Sequence, residues 1–288
     1  MTGGVIALRG SKPRGGRPLL RFGAAAGLLA FCAPAGAQRL AYADLEATPP
    51  RLAYDSVSSD ELSAPGPAVA ARPGAAAVRE YYLDQMEYVA ARGADGYAWD
   101  LSAKIGGRRH RLYVGSIGEG TLGGNLDYLE MQALYSRSIG NWDLQAGLRW
   151  DLVPSPRRVY LTLGAQGYAI PEIFYLGGML FLSHEGELGA RLFGTYDIPI
   201  VSRLTLQPAF ETEIAAQDVP ELGIGAGPVY GEAGLRLRYR LGRGESDAFS
   251  PYVGVNYERL FGRTGRIARE EGEDVEGWSI LAGIRSWF

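Results

Sequence analysis

The sequence has few residues that form disulfides or bind soft metals, and no long apolar run. It contains 1 cysteine and 2 histidines in 288 residues. The cysteine, Cys32, lies in a segment that we expect to be removed, so the mature chain would have no disulfide and no cysteine-ligated metal site. No run of about 18–20 apolar residues follows the N-terminus, which excludes a transmembrane helix. A closed barrel is the remaining way to span a bilayer, because every backbone polar group must be paired within lipid.

The first 37 residues have the pattern of a secretory signal. Five basic residues precede an apolar stretch at residues 22–33, and the small residues 35–37 fit a cleavage site after Ala37. The basic residues are Arg9, Lys12, Arg14, Arg17 and Arg21. Cleavage would remove these five positive charges and no acidic ones, so the formal charge would move from −3 to −8. An acidic mature chain argues against nucleic-acid binding.

Residues 38–78 are rich in Ala, Pro and Ser, and several Pro-Gly and Pro-Pro steps interrupt any regular element. We interpret them as a flexible periplasmic segment. A short plug inside a barrel is the alternative interpretation.

From about Leu83 onward the apolar residues recur with a period of two, and we assign residues 79–288 to one barrel domain. Residues 142–152 are the clearest example, with Trp142, Leu144 and Leu148 on one face and Gln145 and Arg149 on the other. Segments of about 10 residues with charged faces and aromatic ends favour a membrane barrel over a soluble sandwich. The sequence therefore predicts an all-β fold, a closed antiparallel transmembrane β-barrel of about 12 strands.

The predicted strands begin near Leu83, Tyr97, Arg109, Leu126, Trp142, Arg158, Ile173, Leu188, Leu204, Val229, Tyr252 and Glu276. An even number of strands places both ends of the barrel in the periplasm. Short periplasmic turns are expected at residues 106–108, 139–141 and 169–171, and longer outer loops at residues 118–125, 215–227 and 263–275. The last strand ends in the aromatic Phe288, a terminal signal that the assembly machinery of outer-membrane barrels reads.

The polar faces of these strands carry charges of both signs, which indicates cross-strand ion pairs within the barrel. Such pairs could fill the interior, or they could line a transport path. The residues expected there are Glu87, Asp100, Lys104, Arg111, Glu130, Asp143, Arg149, Asp151, Arg191, Glu211, Glu213, Glu232, Arg236, Arg238, Glu258 and Arg285.

Several runs of residues resemble the copper resistance protein B family. They are residues 129–136, 142–147, 206–208, 234–239, 251–258 and 271–274. The resemblance covers most of residues 83–288. It implies an outer-membrane protein that helps cells tolerate copper by binding the metal or limiting its accumulation, with periplasmic copper-handling proteins as partners. Family members often carry a Met- and His-rich segment before the barrel, whereas residues 38–78 contain neither residue type.

The candidate copper ligands are therefore few. His184 at an outer turn, with Glu185 and Glu187 beside it, could form a weak Cu(II) site, and Met179 is a further candidate because its side chain is expected to point inward. Met86, Met131 and His110 are expected on the outward, lipid-facing side. A solvated histidine in a loop is the alternative at His184.

An acidic run in the longest outer loop could bind a hard divalent ion, bridge lipopolysaccharide through bound cations, or be solvated. Its members are Glu270, Glu271, Glu273, Asp274 and Glu276.

These features predict a barrel in the Gram-negative outer membrane, in contact with its lipid and lipopolysaccharide, that contributes to copper tolerance. A small-solute channel and a lipid-modifying enzyme are the alternatives. Catalysis is not expected, because Ser183 and His184 are adjacent in a strand pattern and so face opposite sides. His110 has arginines rather than an acid as neighbours.

We predict that the mature protein begins near Gln38 and fractionates with the outer membrane. The basic, apolar and small-residue order before Gln38 is the reason. N-terminal sequencing of the protein from fractionated cells checks this, and recovery of Met1 or a cytoplasmic location would contradict it.

Overall fold

The computed structural model describes residues 78–241 and 249–287, and the described chain is almost entirely strand. The strands are β1 (Val78–Ala91), β2 (Gly96–Gly106), β3 (His110–Thr121), β4 (Leu126–Ile139), β5 (Trp142–Val153), β6 (Arg158–Ile170), β7 (Phe174–Ser183), β8 (Leu188–Tyr196), β9 (Ile198–Val201), β10 (Leu204–Ala215), β11 (Gly227–Tyr239), β12 (Ser250–Leu260) and β13 (Glu276–Trp287). One α-helix, α1, spans Gly262–Glu271 in the connection between β12 and β13.

Apart from β8 and β9, each strand pairs antiparallel with its neighbour in sequence, and the sheet closes on itself. The first and last strands pair, with Tyr82 opposite Trp287 and Ala91 opposite Ser279. Strands β8 and β9 both pair with β10 and follow each other along its length, so they occupy one position in the barrel. The result is a closed barrel of 12 strands, which confirms the predicted fold class.

The distribution of side chains is the reverse of that in a soluble protein. On β6, Leu161 and Leu163 are each 59% exposed on the outer surface, whereas Thr162 between them is fully buried in the interior. Gln145, Glu130 and other polar residues are likewise buried inside. Exposed leucines are stable only in an apolar surrounding. This arrangement therefore matches barrels of the outer-membrane type.

The connections differ in length at the two ends of the barrel. One end has the tight turns 107–109, 140–141, 171–173 and 202–203, together with the connection 240–249 and both ends of the barrel chain. The other end carries the longer connections 216–226 and 261–275. This alternation was predicted. The outer loop expected at residues 118–125 is wrong in extent, because β3 continues to Thr121 and leaves only residues 122–125.

The first strand begins at Val78, five residues before the predicted start near Leu83. A β-bulge between Leu83 and Met86 shifts its register against both neighbours. A bulge inserts an extra residue and interrupts the strict alternation. The sequence pattern therefore did not reveal the first residues of this strand, and it placed neither Glu80 nor Asp84 inside the barrel.

The interior is filled with ion pairs between side chains from different walls. Arg149 and Arg191 both contact Glu130 Oε2 at 2.9 Å. Their guanidinium groups also lie against the Phe181 ring, 4.5 and 5.5 Å from its centroid. Further interior pairs are Arg236–Glu87 at 2.8 Å, Lys104–Asp143 at 2.7 Å, Arg285–Asp84 at 2.9 Å, Arg238–Asp197 at 3.1 Å and Arg111–Glu80 at 3.1 Å. The predicted ion pairing between charges inside the barrel is confirmed.

Within residues 78–241 and 249–287, no helix is both long enough and apolar enough to cross a membrane. The proposed signal, residues 38–77 and Phe288 lie outside the described residues.

We predict that Arg191→Leu destabilises the barrel by about 3 kcal/mol or more, because removing one partner of a buried pair leaves the other charge uncompensated. The measurement is the temperature at which the folded form is lost in detergent, followed by the band that runs fast on unboiled gels. Arg108→Gln is the control, since Arg108 is exposed in a turn. Equal melting temperatures for the two variants would contradict the stabilising role of the interior network.

Candidate functional site

The predicted copper ligand His184 lies in the four-residue connection between β7 and β8 and is exposed. Its Nε2 lies 3.4 Å from Glu185 Oε1. Its Nδ1 accepts a hydrogen bond from the backbone N–H of Val159 at 3.3 Å. This geometry assigns the proton to Nε2. A metal at Nε2 would displace that proton to Nδ1, so binding would cost the hydrogen bond to Val159. The pair of His184 and Glu185 can therefore hold a metal only weakly.

Glu187 is held by a different partner. Both of its carboxylate oxygens accept hydrogen bonds from Arg158, at 3.0 to 3.1 Å. Burial tends to raise the pKa of Glu187, but the hydrogen bonds from Arg158 and Ser183 outweigh it and leave the pKa lowered. The structure therefore brings His184 and Glu185 together but turns Glu187 towards Arg158. A carboxylate that is bound to an arginine in this way is poorly available to a metal.

Met179 is separated from His184. It lies five residues earlier, which corresponds to about 16 Å along a strand. Its side chain is buried in the interior, where it packs against Phe181 and Phe193. The inward direction predicted for Met179 is confirmed, but it does not share a site with His184. In the part of the chain that the structure describes, no group of three or more His, Cys, Asp or Glu residues is placed to hold a metal ion.

The remaining soft ligands face outward, as predicted. Met86 is 49% exposed on the outer surface. The ring of His110 contacts that of Tyr135 on the same surface, with 5.9 Å between centroids, and its Nδ1 is hydrogen-bonded to the Tyr135 hydroxyl. Ser183 is buried, and its hydroxyl accepts hydrogen bonds from the backbone N–H groups of Glu185 and Glu187. Ser183 therefore serves the turn rather than His184.

A folded cap covers part of the loop end of the barrel. It consists of residues 216–226 and helix α1, which meet through a hydrogen bond from the Gly225 N–H to Thr264 Oγ1 at 3.0 Å. Ala268 of the helix packs against Val229, Tyr230 and Leu260. Gly272 ends the helix in a left-handed conformation, with a φ of 82°, and its N–H bonds to Ala268 and Arg269. Part of the acidic run expected in a loop, including Glu270 and Glu271, is therefore helical.

The cap contacts residues at the loop end of the wall formed by β6 to β8. Arg158 contacts Glu221 of the cap at 2.7 Å as well as Glu187. Gln217 accepts a hydrogen bond from the Leu188 N–H at 3.2 Å and donates one to the Gly186 carbonyl at 2.9 Å. Arg158 thus joins three separate segments. The sequence did not indicate this role, because Glu187 and Glu221 lie 29 and 63 residues from Arg158.

The interior also contains a row of carboxylates. Glu211 on β10 is directly opposite Glu232 on β11, and Glu232 is directly opposite Glu258 on β12. Tyr230 donates to Glu232 at 2.8 Å, and Asn256 donates to Glu258 at 3.0 Å. Glu211 contacts Arg191 at 3.4 Å. Like charges directly opposite each other are unfavourable. The three carboxylates therefore make this part of the interior acidic at a cost in stability.

A family model and two curated relatives identify the family of the chain. Residues 77–288 match the family model described as Copper resistance protein B precursor. A "Copper resistance protein B homolog" from Pseudomonas syringae pv. tomato is 36% identical over 214 residues, which cover 74% of this chain and 71% of that protein. A "Copper resistance protein B" from Escherichia coli is 37% identical over 207 residues, covering 72% of this chain and 68% of that protein.

Among solved structures, the NanC porin resembles the chain with a TM-score of 0.48 and 11% identity, over 70% of this chain and 98% of the porin. At that distance the likeness carries no information on function.

We predict that Arg158→Gln loosens the cap, because it removes the hydrogen bonds to both Glu187 and Glu221. Amide hydrogen exchange of residues 216–226 should become faster, while exchange in the barrel strands should stay the same. The neighbouring Arg157→Gln is the matched control, since Arg157 forms no ion pair within the described residues.

The contact between Arg158 and Glu187 should also depend on pH. Because the pKa of Glu187 is lowered in the folded state, its contribution to stability is fully present above the unfolded-state pKa of about 4.3 and is lost as the pH falls through the lower folded-state value. If amide hydrogen exchange of residues 216–226 is unchanged in Arg158→Gln, Arg158 does not hold the cap in place.

Proposed function

Because the chain belongs to the copper resistance protein B family, we propose that it lies in the outer membrane and raises the tolerance of the cell to copper. The observation that carries this proposal is the family match over the whole barrel. The barrel itself fits the location, since its apolar side chains face outward and its polar side chains face inward.

The filled interior favours a protein that limits copper accumulation over one that conducts it. Two interior cavities have volumes of about 10 and 30 Å³. Each is comparable with the space of one or two water molecules. A general diffusion channel needs a continuous aqueous path, and the Arg149–Glu130–Arg191 contacts lie across the interior. We therefore expect little conductance for small solutes in planar bilayers.

We further propose that the protein binds copper on the outer side of the membrane. His184 with Glu185 would bind Cu(II) rather than Cu(I), because imidazole nitrogen and carboxylate oxygen suit the divalent ion. Glu187 would join them only after leaving Arg158. Such a site would be weak, because only one imidazole and one carboxylate converge there.

The experiment is growth of a deletion strain over a range of copper concentrations, with and without the cloned gene. The gene should restore growth in copper and leave growth in zinc unchanged. His184→Ala should reduce Cu(II) binding by the purified protein, whereas His110→Ala is the matched control because His110 faces the lipid side.

Removal of residues 38–77 should leave copper binding unchanged, since the segment offers neither Met nor His. If the gene has no effect on growth in copper, or has the same effect for every metal tested, the proposed function is wrong. Tight Cu(I) binding that disappears with residues 38–77 would contradict the assignment of the ligands.

A further inference from the structure

The outer surface of the barrel carries a basic patch at the end with the tight turns. The patch consists of Arg79 on β1, Arg108 and Arg109 in the turn between β2 and β3, and Arg137 on β4. All four side chains are exposed, and none of them forms an ion pair or a hydrogen bond with the described residues. Their charges are therefore available to a ligand from outside the chain.

Two of these arginines lie on strands, and their side chains face the lipid. Residues two apart on a strand share a face. Arg137 is two residues from Tyr135, which is 51% exposed on the outer surface. Arg79 is two residues from Tyr81, which is 45% exposed, whereas Glu80 between them forms an interior ion pair. Arg79 and Arg137 therefore continue two lipid-facing rows of side chains to the end of the barrel.

Aromatic residues place Arg137 at the level of the lipid headgroups. His110 is directly opposite Arg137, and its ring contacts that of Tyr135. Trp142 is directly opposite Ile139, which lies two residues beyond Arg137 on β4. Tyr and Trp residues of membrane proteins collect where acyl chains meet headgroups. An arginine at that level extends its guanidinium group into the headgroup layer.

The turn that carries Arg108 and Arg109 is held from the interior of the barrel. Arg111 donates hydrogen bonds to the carbonyl groups of Gly107 at 3.3 Å and of Arg108 at 3.2 Å. The same guanidinium group pairs with Glu80 at 3.1 Å. The exposed guanidinium groups of Arg108 and Arg109 are therefore not needed to hold the turn.

The basic patch differs from its surroundings on the barrel surface. Arg259 and Arg263 at the loop end each contact a carboxylate, that of Glu276 at 3.3 Å and that of Asp218. The outward positions of β1 to β5 near the basic patch hold no carboxylate in the described chain. The surface around β6, β7 and β9 at the same end is apolar, and it exposes Ile170, Ile173, Ile198 and Ile200. An anionic ligand is therefore attracted to the side of the barrel formed by β1 to β4.

We propose that the basic patch binds the phosphate groups of an anionic glycerophospholipid in the periplasmic leaflet of the membrane. A guanidinium group donates two parallel hydrogen bonds to a phosphate, which makes arginine well suited to such a headgroup. Four adjacent strands span about 15 Å, a width that accommodates two phosphates. The inference rests on the proposed location in the outer membrane, in which the short turns face the periplasm, and it is independent of copper. Lipopolysaccharide, the other anionic lipid of that membrane, lies in the opposite leaflet.

The test titrates the purified mature protein in a neutral detergent with phosphatidylglycerol, and separately with phosphatidylcholine, and counts the bound lipids by native mass spectrometry. Wild type should bind phosphatidylglycerol more tightly, and the difference should shrink as salt is added because exposed charges are screened. Arg108→Gln combined with Arg109→Gln should weaken phosphatidylglycerol binding about tenfold or more, since one arginine near an anionic lipid surface contributes roughly fivefold. Arg266→Gln combined with Arg269→Gln is the matched control, because these two arginines are exposed on α1 at the opposite end, and it should bind as wild type does.

A substitution on a strand gives a second, independent readout. Arg137→Gln should weaken phosphatidylglycerol binding about fivefold, whereas Arg137→Lys, which keeps the charge, should retain most of the affinity. The fast-running band on unboiled gels verifies that each variant is folded. Equal phosphatidylglycerol affinities in wild type, in the Arg108 and Arg109 variant and in Arg137→Gln would overturn the inference. Equal affinities of wild type for the two lipids would also overturn it, and the basic patch would then be open to an acidic protein of the periplasm.

Lipids that co-purify with the protein from outer membranes identify the source of the phosphate. The Arg108 and Arg109 variant should lose anionic phospholipid and keep lipopolysaccharide. Loss of lipopolysaccharide with phospholipid retained would contradict the inference.

Growth in copper separates this inference from the proposed function. If the wild-type gene does not restore growth in copper, the copper role fails and the lipid site stands. If the variants bind phosphatidylglycerol as wild type does, the lipid site is wrong and the family role stands.

Discussion

The structure depends on ion pairs buried inside a cylinder whose outer surface is apolar. Lipid around the strands forces their apolar side chains outward, so the polar side chains must find partners in the interior. Arginines and carboxylates satisfy each other there, and a buried charge that lost its partner would be costly. The pairs join distant parts of the chain: Arg236 and Glu87 are 149 residues apart, and Arg285 and Asp84 are 201 residues apart. These two pairs link the first strand, β1, to β11 and to β13 and so help to close the barrel.

Ion pairs have different consequences at the loop end of the barrel and in its interior. At the loop end of the barrel, Arg158 contacts Glu187 in the connection between β7 and β8 and Glu221 in the cap. Glu221 is 69% exposed, so solvent weakens its contact with Arg158. In the interior, Arg149 and Arg191 are almost fully buried and lie against the Phe181 ring. The interior network therefore contributes more to the stability of the barrel than the contact between Arg158 and Glu221 does.

Alternation along the chain predicted the strands well, and it failed where the backbone departs from a regular strand. Glu80 and Asp84 were missed because the bulge in β1 interrupts the alternation, and Asp197 was missed because it lies at the break between β8 and β9. Helix α1 was expected to be a loop. It contains two glycines, at positions 262 and 265, and its stability comes from packing against Leu260 and Val229, which no local pattern reports. Glu187 looked like a free ligand because Arg158 is distant in sequence.

The order of residues was enough to predict the class of the fold, the faces of most strands and the family. Each of these depends on residue order over short distances: the period of two, the basic and apolar leader, and runs of characteristic residues. Which charges pair with each other became clear only from the folded barrel. Closing the barrel brings side chains from separate strands together across the interior, and their distances depend on register and strand tilt. The alternation of residues along one strand contains no information about the wall opposite to it.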